Sequence, residues 1–171
     1  MIENVILVDE NDQELGIMEK MEAHQKGVLH RAFSVFVFNS KGEMLLQKRA
    51  SSKYHSPNLW TNTCCSHPRI NENTIDAAYR RLMEEMGMTC ELDYAFNFMY
   101  KVELDQGLYE HELDHVFIGK SDTKPVINKS EVNSYKYTAP SIIAEQIKTN
   151  PTEYTEWFKI CFTEVLKHYK L

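Results

Sequence analysis

One run of residues constrains the fold more than any other. Phe33-Ser34-Val35-Phe36-Val37-Phe38 is apolar but for one serine, and rich in β-branched and aromatic side chains. Neighbouring side chains of a strand point to opposite faces. A run this continuous therefore has no face to give to water and suits a strand buried on both sides. The flanking segments read as its companions. Val5 to Val8 and Leu15-Gly16-Ile17, joined by the polar turn at 9–13, form an N-terminal hairpin. Asn39-Ser40-Lys41-Gly42 turns the chain into a second strand at Met44-Leu45-Leu46, and Trp60 to Cys65 reads as a third.

The period then changes. Ile75, Ala78, Leu82 and Met86 recur at helical spacing, with Asp76 near the start and Gly87 where a C-cap belongs. Phe96, Phe98, Tyr100, Val102 and Leu104 alternate with polar residues, as in a half-buried strand. Asp105-Gln106-Gly107 turns into another strand, roughly Leu108 to Gly119. Two helical patterns end the chain. The last is expected to begin with Asn150 as N-cap, Pro151 at the first helical position and Glu153 closing a capping box. Its apolar stripe is Tyr154, Trp157/Phe158, Cys161/Phe162, Val165 and Tyr169. This order, strands followed by a helix, two more strands and two closing helices, predicts an α/β or α+β fold, a mixed sheet flanked by helices, with the hairpin as an N-terminal extension.

A chain of 171 residues is one domain's worth, so 1–171 reads as a single domain able to build its core without disulfides. The N-terminus lacks the basic and apolar regions of a signal peptide, and no apolar run approaches the roughly 20 residues of a membrane span. Four cysteines then read as reduced thiols in a cytoplasm. A net charge of −6 argues against a mainly electrostatic nucleic-acid binder, but not against a phosphorylated small molecule. No long apolar surface demands a partner, so a monomer is expected, with a weak dimer as the alternative.

Four groups of residues carry potential chemistry. Glu110, Glu112 and Asp114 share one face of a strand, where burial raises their pKa unless a cation sits among them. His111 and His115 fall on the opposite face. His24 and His30 flank a short segment that can turn both imidazoles toward one point, and His67 follows Cys64-Cys65. Their spacing matches no compact zinc motif; imidazoles suit Zn, Mn or Fe, and added carboxylates harden a site toward Mn or Mg. Glu84 and Glu85 end a helix, against its dipole. Lys20, Arg49, Lys53, Arg80 and Arg81 offer charge for a diphosphate.

Residues Ser66 to Met88 resemble the Nudix box, G-x5-E-x7-R-E-U-x-E-E-x-G-U, with two departures. Ser66 replaces the first glycine, and Arg81 replaces the glutamate after the arginine. In Nudix hydrolases that glutamate helps bind metal; an arginine there opposes a metal and attracts phosphate. The degenerate box resembles one branch of the superfamily, the type I isopentenyl-diphosphate Δ-isomerases, and the likeness runs through nearly the whole chain. It includes Glu22-Ala23-His24, Leu29-His30-Arg31-Ala32-Phe33-Ser34, the basic segment Gln47 to Lys53, Trp60-Thr61-Asn62-Thr63-Cys64-Cys65-Ser66-His67-Pro68, Tyr100 with Glu110-His111-Glu112, and Asn150-Pro151 through Trp157-Phe158.

The resemblance implies one divalent-metal site (Mn, Zn or Mg) made of His24, His30, His67, Glu110 and Glu112. It implies Cys65 and Glu112 as catalytic residues on opposite sides of the substrate, with Tyr100 beside Glu112. Glu85 would bind Mg²⁺ together with the diphosphate, Lys20, Arg49, Lys53 and Arg81 the diphosphate itself, and Trp157 would lie over the hydrocarbon end. The expected activity is isomerisation of isopentenyl to dimethylallyl diphosphate, an isoprenoid-forming step. The competing readings are a Nudix-type diphosphate hydrolase and a non-catalytic, metal-stabilised binding module. Cys64, adjacent to Cys65 on a strand, is expected to face the other way and be structural; Cys90 and Cys161 read as packing residues.

Overall fold

The computed structural model describes residues 3–169. The strands are β1 (Asn4–Val8), β2 (Glu14–Glu19), β3 (His30–Phe38), β4 (Met44–Arg49), β5 (Trp60–Thr61), β6 (Cys64–Ser66), β7 (Leu92–Glu103), β8 (Tyr109–Lys120) and β9 (Val132–Thr138). The helices are α1 (Lys20–Lys26), α2 (Thr74–Met86), α3 (Pro140–Thr149) and α4 (Glu156–His168).

The apolar run does what its composition demands. β3 lies inside the sheet, parallel to β8 along its whole length from His30↔Glu112 to Phe38↔Lys120. Its residues divide by parity. Phe33, Val35 and Val37 pack with Leu82 and Met86 of α2 on one side. Phe36 and Phe38 pack with Trp157, Phe158 and Phe162 of α4 on the other. β7 and β8 form a long antiparallel pair, β9 lies antiparallel to β4, and β1–β2 is the expected terminal hairpin.

The stretch Trp60 to Cys65 is two short strands rather than one. β3 and β4 pair only at Phe38↔Met44 and then diverge. Into the opening goes β5 against β4 and β6 against β3. Asn62 and Thr63 make the crossing with their side chains: Asn62 Nδ2 donates to the carbonyls of Val35 and Cys64, and Thr63 Oγ1 donates to that of Leu45 while accepting from the Val37 amide. Buried polar groups need such partners, and here they bridge the two diverging strands. The parity of β6 sends Cys64 into the α2 core and Cys65 toward the α4 side, as expected of neighbours on a strand.

Three further elements depart from expectation. α1 and β9 were not anticipated. The C-terminal helix starts at Glu156, not after Asn150. Pro151–Glu153 is a separate 3₁₀ turn in which Asn150 makes no side-chain cap, so no capping box forms. Thr155, at the true N-cap position, spends its hydroxyl on Thr61 Oγ1 at 2.9 Å, tying the start of α4 to β5. Gly87 ends α2 in the left-handed region at φ +59°, as its place in the box predicts.

Candidate functional site

A pocket of about 540 Å³, counted out to its mouth, is lined by residues of β3, β6 and β8, and most of the residues singled out in the sequence face it, whereas His24, His30 and Glu85 are not among its lining residues. α1 supplies His24, buried, and β3 supplies His30, buried at its first position. His67 follows β6. The His30 ring lies 5.0 Å from both the His24 and the His67 rings. Glu110, Glu112 and Asp114 point from β8 to one buried side, 4%, 7% and 1% exposed. His111 and His115 face away, His111 toward the Gly27 carbonyl and His115 toward Asp12.

Positive charge is what this cluster calls for. His24 Nδ1 is 2.6 Å from the Lys20 carbonyl and His30 Nδ1 is 2.8 Å from the Val28 carbonyl. A carbonyl only accepts, so both rings carry their hydrogen on Nδ1 and turn an Nε2 lone pair inward. His24 Nε2 lies 3.1 Å from Glu110 Oε2, yet neither atom has a hydrogen-bond partner, and His30 Nε2 is likewise unpartnered 3.6 Å from Glu112 Oε1. Buried acceptors facing buried acceptors repel unless the rings protonate or a cation stands among them. Ring nitrogens of His24, His30 and His67 and a Glu112 oxygen lie within 4.8 Å of one another, as do ligand atoms of His24, His55 and Glu110. The donor set, with carbonyls fixing the tautomers of His24 and His30 from behind, fits a divalent cation.

The carboxylates differ in their surroundings. Burial and the charge of Glu112 push Glu110 up to about 7. Burial also opposes ionisation of Glu112, but the imidazoles of His30 and His67 outweigh it and hold that carboxyl well below its usual range. Tyr100 Oη donates to Glu112 Oε2 at 2.6 Å. Asp114, raised by burial and by Glu112, accepts from Ser34 Oγ at 2.7 Å. In the same pocket, desolvation pushes the Cys65 thiol up to about 12, so Cys65 rests as a thiol and Glu112 as a carboxylate.

Lys20, Arg49, Lys53 and Arg81 all line the pocket, and so does Trp157, with the Arg49 guanidinium 5.2 Å from its ring. Arg80 does not. It is bidentate on Glu72, both bonds at 2.7 Å, and so ties the box's first acid to its helix. Arg81 reaches Glu84 at 2.7 Å and Glu85 at 2.6 Å, so its guanidinium occupies the middle of the box's acids. Glu85 also accepts from Gln47 Nε2 at 2.8 Å.

Two residues here belong to no periodic pattern or motif in the sequence. Glu131 accepts from Arg81 at 3.3 Å and pairs with Lys53, joining cations from two separate elements. His55, two residues beyond Lys53, is buried with Nε2 3.2 Å from Glu110 Oε1. It sits in a loop outside any periodic element, so only its nearness to the basic segment hinted at it.

The fold and this box define a class first: the NUDIX domain family matches residues 28–158. Solved structures agree on the fold. A Deinococcus radiodurans protein superposes with a TM-score of 0.78 at 17% identity, covering 98% of this chain and all of that one, and a MutT protein from Methanosarcina mazei with 0.68 at 19%, covering 84% of this chain and 96% of its own. Closer in sequence are an isopentenyl-diphosphate Delta-isomerase of Pectobacterium atrosepticum, 52% identical over 94% of this chain and 90% of the relative, and isopentenyl-diphosphate Delta-isomerase 2 of Aromatoleum aromaticum, 49% identical over 97% and 88%. The chain belongs to the isopentenyl-diphosphate Delta-isomerase family within the NUDIX superfamily.

Proposed function

We propose that this protein interconverts isopentenyl diphosphate and dimethylallyl diphosphate, the whole reaction being carried by one 171-residue domain acting as a cytoplasmic monomer. The observation that carries the reading is Arg81. In the place of a hydrolase's metal-binding acid stands a guanidinium bonded to Glu84 and Glu85, lining a pocket that also holds a thiol, Cys65, and a carboxylate, Glu112. Four cysteines, all free, and the lack among the described residues of a helix long and apolar enough to cross a membrane accord with it.

Transposing the double bond needs a proton added at one carbon and another removed nearby. An unactivated alkene is a poor base, so the path runs through or close to a tertiary carbocation, which demands an acid in reach and water kept out. Cys65 and Glu112 are the proton-handling pair, starting as thiol and carboxylate, and Tyr100 steadies Glu112 through their hydrogen bond. Trp157, 3% exposed, offers its π face to the developing cation, worth roughly 2 kcal/mol when desolvated. Lys20, Arg49, Lys53 and Arg81 take the diphosphate, with Glu85 sharing a Mg²⁺ with it.

His24, His30, His67, Glu110 and Glu112 are the residues that would hold the resident cation. Five donors exceed the four that zinc usually takes, and three imidazoles suit Mg²⁺ poorly, so the set favours Mn²⁺. When bound, that cation neutralises the buried carboxylates and fixes their orientation.

The test is incubation with isopentenyl diphosphate and Mg²⁺ in D₂O, followed by proton and phosphorus NMR together. Dimethylallyl signals carrying deuterium, without phosphate release, support the proposal. Release of phosphate or monophosphate would establish a hydrolase, and silence in both channels with metal bound would leave a binding module.

A further inference from the structure

His55 stands at the edge of the cation site, and its surroundings differ from those of His24 and His30 in a way that assigns it a different task. Its position is over-determined. Arg49 donates from Nη2 to the His55 carbonyl and from Nε to the Ser56 carbonyl, both at 3.2 Å. The ring meets Tyr54 edge-on at 4.5 Å and Trp157 at 5.8 Å, and stacks near-parallel on His24 at 6.0 Å. Held this way, its Nε2 is 3.2 Å from Glu110 Oε1, while His24 Nε2 is 3.1 Å from the same carboxylate's Oε2. The carboxylate lies between two imidazoles, one at each oxygen.

The two groupings able to hold an ion, one with His30, His67 and Glu112 and one with His55 and Glu110, share His24. His24 has a single lone pair to give, because Nδ1–H is committed to the Lys20 carbonyl. The groupings therefore cannot hold two ions at once, and His55 is either one more ligand of a single ion or a partner of Glu110. The nitrogens decide. His24 and His30 each have a carbonyl behind Nδ1, which leaves Nε2 bare for metal. His55 has none; its Nδ1 has only Ser56 Oγ, at 3.5 Å. A hydroxyl can donate to Nδ1, whereas a carboxylate oxygen beside Nε2 can only accept. The hydrogen of His55 therefore belongs on Nε2.

We propose that His55 is a positioning residue: it donates Nε2–H to Glu110 Oε1 and so aims Oε2 at the cation site. This rests on the reading of His24, His30, His67, Glu110 and Glu112 as cation ligands. The tautomer is opposite to that of His24 and His30, which makes it observable.

The experiment uses protein labelled with ¹⁵N in its histidine rings and loaded with Zn²⁺, a diamagnetic probe, with long-range proton–nitrogen correlation spectra. Expected are metal-bound Nε2 signals from His24 and His30, whose Nδ1 atoms face carbonyls, and a protonated, unligated Nε2 from His55. A metal-bound Nε2 in His55 would overturn the proposal in favour of a further ligand. Absence of metal-bound signals from His24 and His30 would instead remove the cation site on which the proposal rests. In parallel, Mn²⁺ affinity is measured by chelator competition. His55→Ala should weaken it about 10- to 100-fold, the usual effect of losing an outer hydrogen-bond partner, and His55→Gln, whose amide can donate, should recover most of it. Equal affinity in all three proteins would refute the role. Should the alanine variant fail to fold, the spectrum of the unmutated protein still decides.

Discussion

Replacing Gly87 by alanine tests how the box is anchored to the rest of the fold. Gly87 sits at φ +59°, where an L residue costs roughly 1–2 kcal/mol. A Cβ there would stand 2.3 Å from the Val126 carbonyl oxygen and 2.9 Å from Val126 Cβ, far inside the 3.4 Å at which ordinary contact begins. Neither neighbour is the loose end of a flexible side chain. The Val126 amide donates to the Met86 carbonyl at 2.8 Å and the Asn128 amide to that of Glu85 at 2.9 Å, so the chain before β9 is strapped to the end of α2. Relieving the clash strains both bonds, each worth about 1 kcal/mol. The total comes to about 3–4 kcal/mol, which for a chain of this size lowers Tm by about 6–16 °C. Gly107→Ala is the control. Gly107 also has positive φ, +71°, but nothing lies within 4 Å of its would-be Cβ, so only the backbone cost of roughly 1–2 kcal/mol applies. Urea titrations of both variants give the comparison. Equal losses would show that the Val126 strap yields freely and that the contact argument is wrong.

Other consequences are as direct. Cys65→Ala should abolish isomerisation while leaving metal content and Tm nearly unchanged, whereas Cys64→Ala, which empties a fully buried site in the α2 core, should keep activity and cost about 1–2 kcal/mol in urea titrations. Tyr100→Phe removes a hydrogen bond to a charged, buried carboxylate, worth about 1.5–3 kcal/mol, so kcat should fall roughly 10- to 150-fold with little change in KM. Chelation should lower Tm as well as activity, because it leaves the buried acceptors of His24, His30 and Glu110 facing one another; a chelated protein as stable as the loaded one in calorimetry would contradict the cation site. Trp157→Leu should cost roughly 30-fold in kcat, the equivalent of about 2 kcal/mol of cation–π attraction, against a smaller loss for Trp157→Phe.

Legibility in the sequence followed chemistry rather than importance. β3 and α2 declared themselves because long periodic patterns leave little choice of environment. β9 did not, since Val132 to Thr138 mixes asparagine, serine and lysine among its aromatics and becomes a strand only by pairing with β4. α1 is seven residues long, too short for a periodic signal, and takes its ends from Glu19, which accepts from the Glu22 amide, and from Gly27 in the left-handed region. At the site, the shared face of Glu110, Glu112 and Asp114 followed from strand parity alone. Cys65, Lys20 and Trp157 were assigned through family resemblance, because no local pattern brings residues this distant together. His55 and Glu131 escaped both routes. Their roles arise from a loop clamped by Arg49 and from a turn held to α2, and neither clamp leaves a mark in residue spacing.

Glu131 gives the basic cradle an unusual starting condition. Lys53 and Arg81 are not bare cations awaiting an anion, for a tethered carboxylate already sits on both. Arrival of a diphosphate is then an exchange of one anion for another, and its affinity measures how well it outcompetes a rival that never diffuses away. Charges already matched within the protein hold fewer loose counterions to shed. Binding should therefore decline with ionic strength more gently than four basic side chains would suggest, and the pocket should refuse weaker anions, such as monophosphates, that cannot displace the resident carboxylate.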